Sequence, residues 1–333
     1  MSTTTTAPAA APAASAPFRR GPRLSGLTWL VWRQHRAAFW TGLAVTAAGI
    51  AWFAYQRASM MDYLNGIGWP NPKLPNWSVG FERYDSLLSN TSSALGLLMP
   101  VLVGVFLGAP LIANDLEHGT GMLVMSQAVS RGRWLAMKLG MAVLVVTVCT
   151  AALAAAFGWW LEPVSKEDKA LYWVAGSATG PVPVALTLFT MVGGVAIGMV
   201  LRRTLLSMVV TFGFAVTVQL VWASSWLDLG NTVTVTTHDG ARTDTFPLPE
   251  AAYEMGRSFL TGSGELLGRD SCALGIEQAI NACLDKKDIV GWSVDYLPPS
   301  ELSPMLWTGS AILLALTAVV AVFIIWWGRK RLY

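Results

Sequence analysis

Charged residues are scarce in this chain of 333 residues. Aspartate, glutamate, lysine and arginine together make up 13% of it, about half the roughly 25% of a typical soluble domain. Hydrophobic residues make up 53%. They come in blocks of about 20 residues, which is long enough for a helix to cross the ~30 Å hydrocarbon core of a bilayer. The composition therefore excludes an ordinary soluble domain and predicts a polytopic membrane protein.

Residue types that carry chemistry are also rare. The chain has only three histidines, and they lie far apart in the sequence. No glycine is followed by lysine, so the P-loop motif is absent, and so are the H-E-x-x-H, C-x-x-C and G-x-S-x-G motifs. We therefore expect neither a metal site nor a catalytic centre in this chain.

Six apolar blocks predict six transmembrane helices. They are residues 37–55, 93–113, 139–161, 180–201, 204–227 and 305–327. None of them contains Asp, Glu, Lys, Arg or His. Ion-coupled transporters and voltage sensors generally carry ionisable groups inside the bilayer, so we do not expect this chain to use an ion gradient.

Charge asymmetry predicts the orientation in the membrane. With the N-terminus inside, the short inner segments hold 13 Lys and Arg residues and 2 acidic residues. The longer outer segments hold 10 Lys and Arg residues and 18 acidic residues. Basic residues concentrate on the cytoplasmic side. We therefore expect both termini on the cytoplasmic side of a cell membrane, and the preference for Arg over Lys, with abundant Ala, Gly and Trp, suggests a bacterial one.

The chain begins with two segments that precede the first span. Residues 1–17 are rich in Thr, Ala and Pro and are predicted to be disordered. Residues 18–36 are basic and amphipathic, which predicts a helix lying in the membrane interface. Its anchors would be Trp29, Trp32, Arg33 and Arg36. The alternative is an ordinary basic flank that fixes the orientation of the first span.

Small and polar residues in the spans predict where helices meet. Two glycine pairs have the small-xxx-small spacing of closely packed transmembrane helices. The pairs are Gly104 with Gly108 and Gly194 with Gly198. They fit either packing inside one subunit or a dimer seam. Pro100 should kink the second span and Pro110 should bend its inner end, while Gln219 either bonds a neighbouring helix or lines a path.

The long outer segment, residues 228–304, is predicted to be a small extracytoplasmic α+β domain. Alternating Val and Thr around Asp239-Gly240 predict a hairpin over 232–246. Residues 249–260 and 274–284 are predicted to be helical. Cys272 and Cys283 lie on the oxidising side, so they form either a disulfide or two free thiols.

The segment between the second and third spans, residues 114–138, is the least uniform part of the inner side. It holds the only two acids predicted there, Asp115 and Glu117, followed by an apolar run at 122–125. A short helix with basic residues then leads into the third span. Its expected membrane-interface anchors are Arg131, Arg133, Trp134 and Lys138. The segment is either a docking patch for a partner or a polar turn.

The same segment carries a resemblance to a known family. Three short motifs resemble a pattern in permease subunits of ABC transporters. They are acid-x-Glu-x-Gly-Thr at 115–120, Ser-Gln-x-Val-Ser-Arg at 126–131 and Arg-Trp-x-x-x-Lys at 133–138. The family is the type-2 export superfamily, particularly its actinobacterial branch. The segments 27–36 and 326–331 are similar to that branch as well. Asp115 departs from the pattern, since many relatives have Glu there.

The resemblance implies an architecture and a set of partners. It implies a six-helix permease with an interfacial elbow helix at 18–36 and a cytoplasmic coupling helix at about 114–126. Two permease subunits, as a homodimer or pseudo-dimer, would bind two separate ATPase subunits that hold ATP and Mg²⁺. The implied ATPase-coupling residues are Asp115, Glu117, Gly119, Thr120, Leu123, Ser126 and Gln127.

Together these features predict an all-α polytopic membrane protein that serves as the permease subunit of an ATP-driven exporter. We expect it to move a hydrophobic or amphipathic substrate, to be no enzyme, to bind no cofactor itself and to have no nucleic-acid partner. One alternative is an ATPase-independent sensor or assembly protein that displays the 228–304 domain. A membrane-embedded enzyme is disfavoured, since no set of acids, bases or metal ligands lies near the spans.

Overall fold

The computed structural model describes residues 27–69, 77–119, 131–165, 173, 178–238, 248–249, 251–272 and 277–331. The described helices are α1 (Leu27–Ile67), α2 (Trp77–Ser93), α3 (Met99–Val103), α4 (Pro110–Glu117), α5 (Arg131–Leu161), α6 (Val182–Leu201), α7 (Thr204–Ser225), α8 (Glu277–Lys286) and α9 (Leu302–Arg331). Six helical stretches of this part are long and apolar enough to cross a membrane. This confirms the predicted number of spans, with α2, α3 and α4 forming the second one.

The helical bundle has two chemically different ends. At one end α1 begins, α4 ends and α7 begins, and Arg33, Arg36 and Arg133 are exposed there. We call this the basic end. The opposite end carries a small β-sheet and is called the sheet end.

The first helix is longer than the predicted first span in both directions. It begins at Leu27 and runs through Arg36 without interruption, because no proline lies between Leu27 and Ile67 to break it. The described part of the predicted interfacial helix is therefore continuous with the first span and not a separate element. Residues 1–26 lie outside the described residues.

The segment expected as the first outer loop is mostly helical. Helix α1 continues to Ile67 and α2 begins at Trp77, so the end of the apolar stretch marks the end of the span and not of the helix. The two helices pack through a buried cluster that includes Met60, Leu64 and Leu88. The Tyr84 hydroxyl lies 3.0 Å from the Ser59 hydroxyl. The proline-rich residues 70–75 lie outside the described residues.

Prolines interrupt the second span twice. Wide π-helical turns, Ala94–Leu98 and Gly104–Gly108, precede Pro100 and Pro110. Proline lacks an N–H and its ring clashes with the carbonyl four residues earlier, which disfavours a regular helix at these places. The Ala109 N–H accordingly donates to Gly104 O at 3.0 Å, five residues back. The distortion expected at both prolines takes the form of these turns.

Side chains from neighbouring helices satisfy carbonyls near Pro100. In a regular helix the residue at position 100 would donate to Gly96 O, and proline cannot. Gln219 of α7, only 5% exposed, instead donates from Nε2 to Gly96 O at 3.1 Å. The Thr190 hydroxyl of α6 donates to Pro100 O at 2.7 Å. Because hydrocarbon offers no water to replace them, these bonds fix α6 and α7 against the second span.

Glycines let the backbones of α6 and the second span approach closely. A Cβ atom built on Gly194 would lie 2.7 Å from Gly104 O, and one built on Gly198 would collide with Ala109 O. A Cβ on Gly108 would meet the backbone of α6 in the same way. The two small-xxx-small pairs therefore lie against each other within one subunit. This is the packing inside one subunit that was predicted as one alternative to a dimer seam.

The sheet has four antiparallel strands in the order β1-β4-β2-β3. The strands are β1 (Val233–Thr237), β2 (Tyr253–Thr261), β3 (Leu266–Gly268) and β4 (Ile289–Leu297). A disulfide joins Cys272 to Cys283 of α8. The Trp173 indole donates to Ala251 O at 2.8 Å, and Leu297 packs in one buried cluster with Met305 of α9, so the sheet is seated on the bundle.

One prediction for this region is corrected. Residues 249–260 were expected to be helical, but most of them lie in β2, where Phe259 stacks on Trp292 of β4 at 4.1 Å between ring centroids. This cross-strand packing outweighs local helix propensity. Strand β1 pairs with β4, which is distant in sequence. Residues 239–246 of the expected hairpin lie outside the described residues, so the hairpin stays a prediction. The predicted helix at 274–284 is confirmed by α8.

The glycine contacts predict a position-dependent cost of adding one methyl group. Gly198→Ala should destabilise the fold by about 1–3 kcal/mol, because the contacted atom is backbone and cannot rotate away. Gly213→Ala is the matched control, since a Cβ there meets nothing within 4 Å. The measurement is the free energy of unfolding in mixed micelles. Equal effects of the two variants would contradict backbone contact at Gly198.

Candidate functional site

The candidate site lies at the basic end, where α4 finishes. This helix is positioned from two sides: Pro110 starts it after the wide turn, and the glycine contacts hold that turn against α6. Its last turn presents two carboxylates, Asp115 and Glu117. They are two residues apart on a helix and therefore point in different directions.

Asp115 is buried and forms an ion pair with Lys138 of α5. The two side chains are 7% and 1% exposed, so this pair is removed from solvent on both sides. Removing water from two charges is costly, and the pair is tolerated because each charge meets its opposite at hydrogen-bond distance. The bond ties the end of the second span to the start of the third.

Apolar and aromatic side chains enclose this ion pair. Trp134, one helical turn before Lys138, is 3% exposed, and its ring centroid lies 5.4 Å from Lys138 Nζ. Leu111 and Leu135 belong to the same buried cluster. Trp134 and Lys138 were predicted to anchor the chain at the membrane interface. The structure buries both instead, because their face of α5 turns toward Asp115.

Glu117 reaches a different helix. Its Oε2 accepts a hydrogen bond from the backbone N–H of Thr204, the first residue of α7, at 2.8 Å. The preceding residue, Arg203, makes no side-chain cap. The first N–H groups of a helix have no partner within it and carry partial positive charge. Glu117 therefore serves as a cap supplied from another helix, and it ties the second span to the fifth.

A glycine follows the end of helix α4. Gly119 has a φ of +67°, a left-handed conformation that glycine adopts without steric penalty. The backbone N–H of His118 donates a hydrogen bond to Asn114 O at 3.2 Å. The chain therefore leaves the direction of α4 at this residue.

The remaining predicted site residues fall into two groups. Thr120, Leu123, Ser126 and Gln127 lie outside the described residues. The side chains of Trp29, Trp32 and Arg131 are likewise not described. Among the predicted interface anchors, Arg33, Arg36 and Arg133 are exposed at the basic end.

A family comparison covers this site. The model of the family described as "ABC-2 membrane transporter related" matches residues 43–226. That stretch is more than half of the chain and includes Asp115, Glu117, Lys138 and Thr204. The chain belongs to this family. No curated protein and no solved structure matches it.

Within this ABC-2 family member the described part of the site joins helices. One carboxylate binds α5, the other binds α7, and the helix that carries them packs on α6. Sequence analysis selected both acids but missed their partners. A signal for Lys138 was available, because Asp115 follows the second predicted span by two residues and Lys138 precedes the third by one, so both lie at one depth. No sequence pattern indicated the Thr204 N–H.

The buried pair predicts that losing one charge is worse than losing both. Lys138→Met should destabilise this ABC-2 protein by about 3–5 kcal/mol, since it leaves the Asp115 carboxylate buried without its lysine. The double variant Asp115→Leu/Lys138→Met should recover most of that loss. Unfolding titrations of the three proteins in mixed micelles measure this. A double variant as unstable as the single one would show that the ion pair is not the source of the cost.

Proposed function

We propose that the chain is the permease subunit of an ATP-driven exporter, energised by a separate ATPase subunit that binds ATP and Mg²⁺. Both termini and the basic end would face the cytoplasm, and a second permease subunit would complete the transporter. Family membership supports the transporter class. The observation that carries the coupling proposal is the pair of bonds at the end of α4.

These bonds determine where a force would go. The connection at 118–130 lies between α4 and α5, so a partner that presses on it acts first on these two helices. The Asp115–Lys138 pair makes the two helix ends move together. The Glu117–Thr204 bond extends the displacement to α7, and the glycine contacts extend it to α6. One push would therefore displace the basic ends of four helices as a unit.

This arrangement revises the proposed roles of the two acids. Asp115 is buried, so it braces the helices and does not contact the ATPase. Glu117 is occupied by Thr204, so its role is to transmit movement. The ATPase contact would fall on the connection at 118–130, which includes Leu123, Ser126 and Gln127.

The proposed substrate is hydrophobic or amphipathic and carries no strong charge. The six predicted spans contain no Asp, Glu, Lys, Arg or His, and a charged substrate would lose its hydration without gaining a counter-charge there. Export as the direction follows from the family resemblance.

The test separates ATPase binding from coupling. The tagged protein is purified from native membranes in mild detergent, and a P-loop ATPase is expected to accompany it at about one copy per permease. Glu117→Ala should keep the ATPase bound but reduce substrate movement per ATP hydrolysed by about tenfold, because α7 no longer follows α4. Glu82→Ala is the matched control, since Glu82 is exposed on α2 and should leave both unchanged.

Two results would contradict the proposal. Full transport by Glu117→Ala would remove the proposed role of the α4–α7 bond. The protein could instead purify alone and form no active ATPase complex with any added ATPase subunit. That result would favour the sensor or assembly alternative built on residues 228–304.

A further inference from the structure

Two helices bring basic side chains together at the basic end, where α5 begins and α9 ends. Trp134 of α5 lies in one buried cluster with Ile324 and Trp327 of α9, so the first turn of α5 packs beside the last turns of α9. The basic residues next to this contact are exposed, and we call them the basic patch. They are Arg133, Arg329 and Lys330.

A glycine determines where Arg329 lies. A Cβ atom built on Gly132 would lie 2.9 Å from Arg329 Nε and 3.7 Å from its guanidinium carbon. The Arg329 side chain therefore lies against the α5 backbone, at the residue that precedes Arg133. Because Gly132 has no side chain, the guanidinium group of α9 reaches the turn of α5 that carries Arg133.

Lys330 is positioned by a tryptophan at the end of the sixth span. Its Nζ lies 4.6 Å from the centroid of the Trp326 ring, a distance at which the ring attracts an ammonium group. The Trp326 side chain is exposed, and tryptophans of transmembrane helices are enriched at the depth of the lipid headgroups. The Lys330 charge therefore lies at the depth of lipid phosphates.

The basic patch has no counter-charge among the described residues. No acid forms an ion pair with Arg133, Arg329 or Lys330. The two acids described at the basic end, Asp115 and Glu117, already have partners. Like charges that share a patch repel one another, and an external anion would relieve this repulsion.

An exposed apolar stripe of α9 leads from the patch toward the middle of the span. Val319, Val322 and Phe323 are exposed, and they precede Trp326 by seven, four and three residues. These spacings place them on the same face of the helix as Trp326. One face of α9 thus presents an apolar stripe, then a tryptophan and then the cation of Lys330.

We propose that the basic patch binds the headgroup phosphate of an anionic phospholipid, whose acyl chains run along this stripe of α9. Basic pockets between transmembrane helices bind the headgroups of acidic lipids, and arginine binds phosphate through charge-assisted hydrogen bonds. A free phosphate would use the cations alone, whereas a phospholipid uses the cations and the apolar stripe. The binding needs no ATPase and does not rest on the proposed function.

The test uses the full chain in phosphatidylcholine nanodiscs that contain phosphatidylglycerol with a photoactivatable diazirine near the top of one acyl chain. Peptide mapping after illumination should place the label mainly on residues 132–140 and 319–331. Phosphatidylcholine with the same diazirine should label these peptides about fivefold less, because it has no net charge. Equal labelling by the two lipids would show an ordinary lipid contact and overturn the proposal.

Charge variants test the patch itself. Arg329→Gln should lower the labelling by phosphatidylglycerol about fivefold, the value of one basic residue near an acidic lipid surface, and adding Arg133→Gln should lower it further. Arg203→Gln is the matched control, because Arg203 is also exposed at the basic end but precedes α7 and lies near Glu117. It should leave the labelling unchanged. Equal losses in Arg329→Gln and Arg203→Gln would show a general attraction of acidic lipid and contradict the site.

A charge-neutral variant separates position from charge. Gly132→Ala displaces the Arg329 side chain from α5 and keeps every charge, so it should lower the labelling, though less than Arg329→Gln does. Gly140→Ala is the control on the same helix, since a Cβ there meets nothing within 4 Å. Gel filtration verifies that each variant is folded. Equal labelling of the two alanine variants would overturn the placement of Arg329 in the site.

Inorganic phosphate distinguishes a lipid site from a site for a soluble anion. It is added at constant ionic strength, with chloride as the balancing anion, and unlabelled phosphatidylglycerol is added in a parallel series. Displacement of the label by the lipid but not by phosphate supports the proposal. Displacement by phosphate as complete as that by the lipid would assign the cations to a soluble anion and overturn it.

Discussion

The backbone contact between α6 and the second span is the constraint on which the rest of this bundle depends. Packing between helices in a bilayer gains little from the hydrophobic effect, because lipid tails are as apolar as the side chains they replace. Close van der Waals contact and hydrogen bonds must therefore stabilise the packing of these helices. Four glycines provide the closeness, and Thr190 and Gln219 provide hydrogen bonds to the same span. Both wide turns preceding the prolines lie in this contact region.

The prolines and their partners form one arrangement. Pro100 leaves a carbonyl without its usual donor, and the amide of Gln219 supplies a donor from another helix. A helix that fully satisfied its own backbone would offer no such attachment point. The second span thus gains specific connections to α6 and α7 because it cannot hydrogen-bond regularly by itself. The same reasoning explains why Gln219, the most polar residue of the fifth span, hydrogen-bonds a backbone carbonyl of the second span.

Hydropathy and spacing predicted the membrane part of the fold well and the outer part poorly. Six spans, the glycine pairs and the disruptive prolines could be found because a bilayer imposes length and apolarity on each helix separately. The continuation of α1 beyond Tyr55 was missed, since hydropathy stops at the membrane surface and a helix does not. Strand β2 was mistaken for a helix because its stability comes from Trp292, a residue distant in sequence. Pairing across such a distance is not encoded in local periodicity.

The candidate site was only half predictable for a related reason. Asp115 and Glu117 stood out because they were the only acids on a basic side, but an isolated acid suggests an external partner. The resemblance implied that both engage or brace the ATPase contact, and in the structure both are bound inside the chain. Lys138 was predicted to lie at the membrane interface because lysine generally lies there. The buried carboxylate of Asp115 instead holds Lys138 inside the protein.

The opposite directions of the two acids decide what kind of connection α4 makes. A single bond to α5 would let the second and third spans move as a hairpin while α7 stayed behind. A single bond to α7 would leave the third span free. With Asp115 on one side and Glu117 on the other, neither partial motion is possible without breaking a charged hydrogen bond. The buried pair is the more durable of the two, because water competes for the exposed Glu117 and is excluded from Asp115. Breakage under load should therefore begin at Thr204, so the α4–α7 bond is the weaker of the two connections that α4 makes.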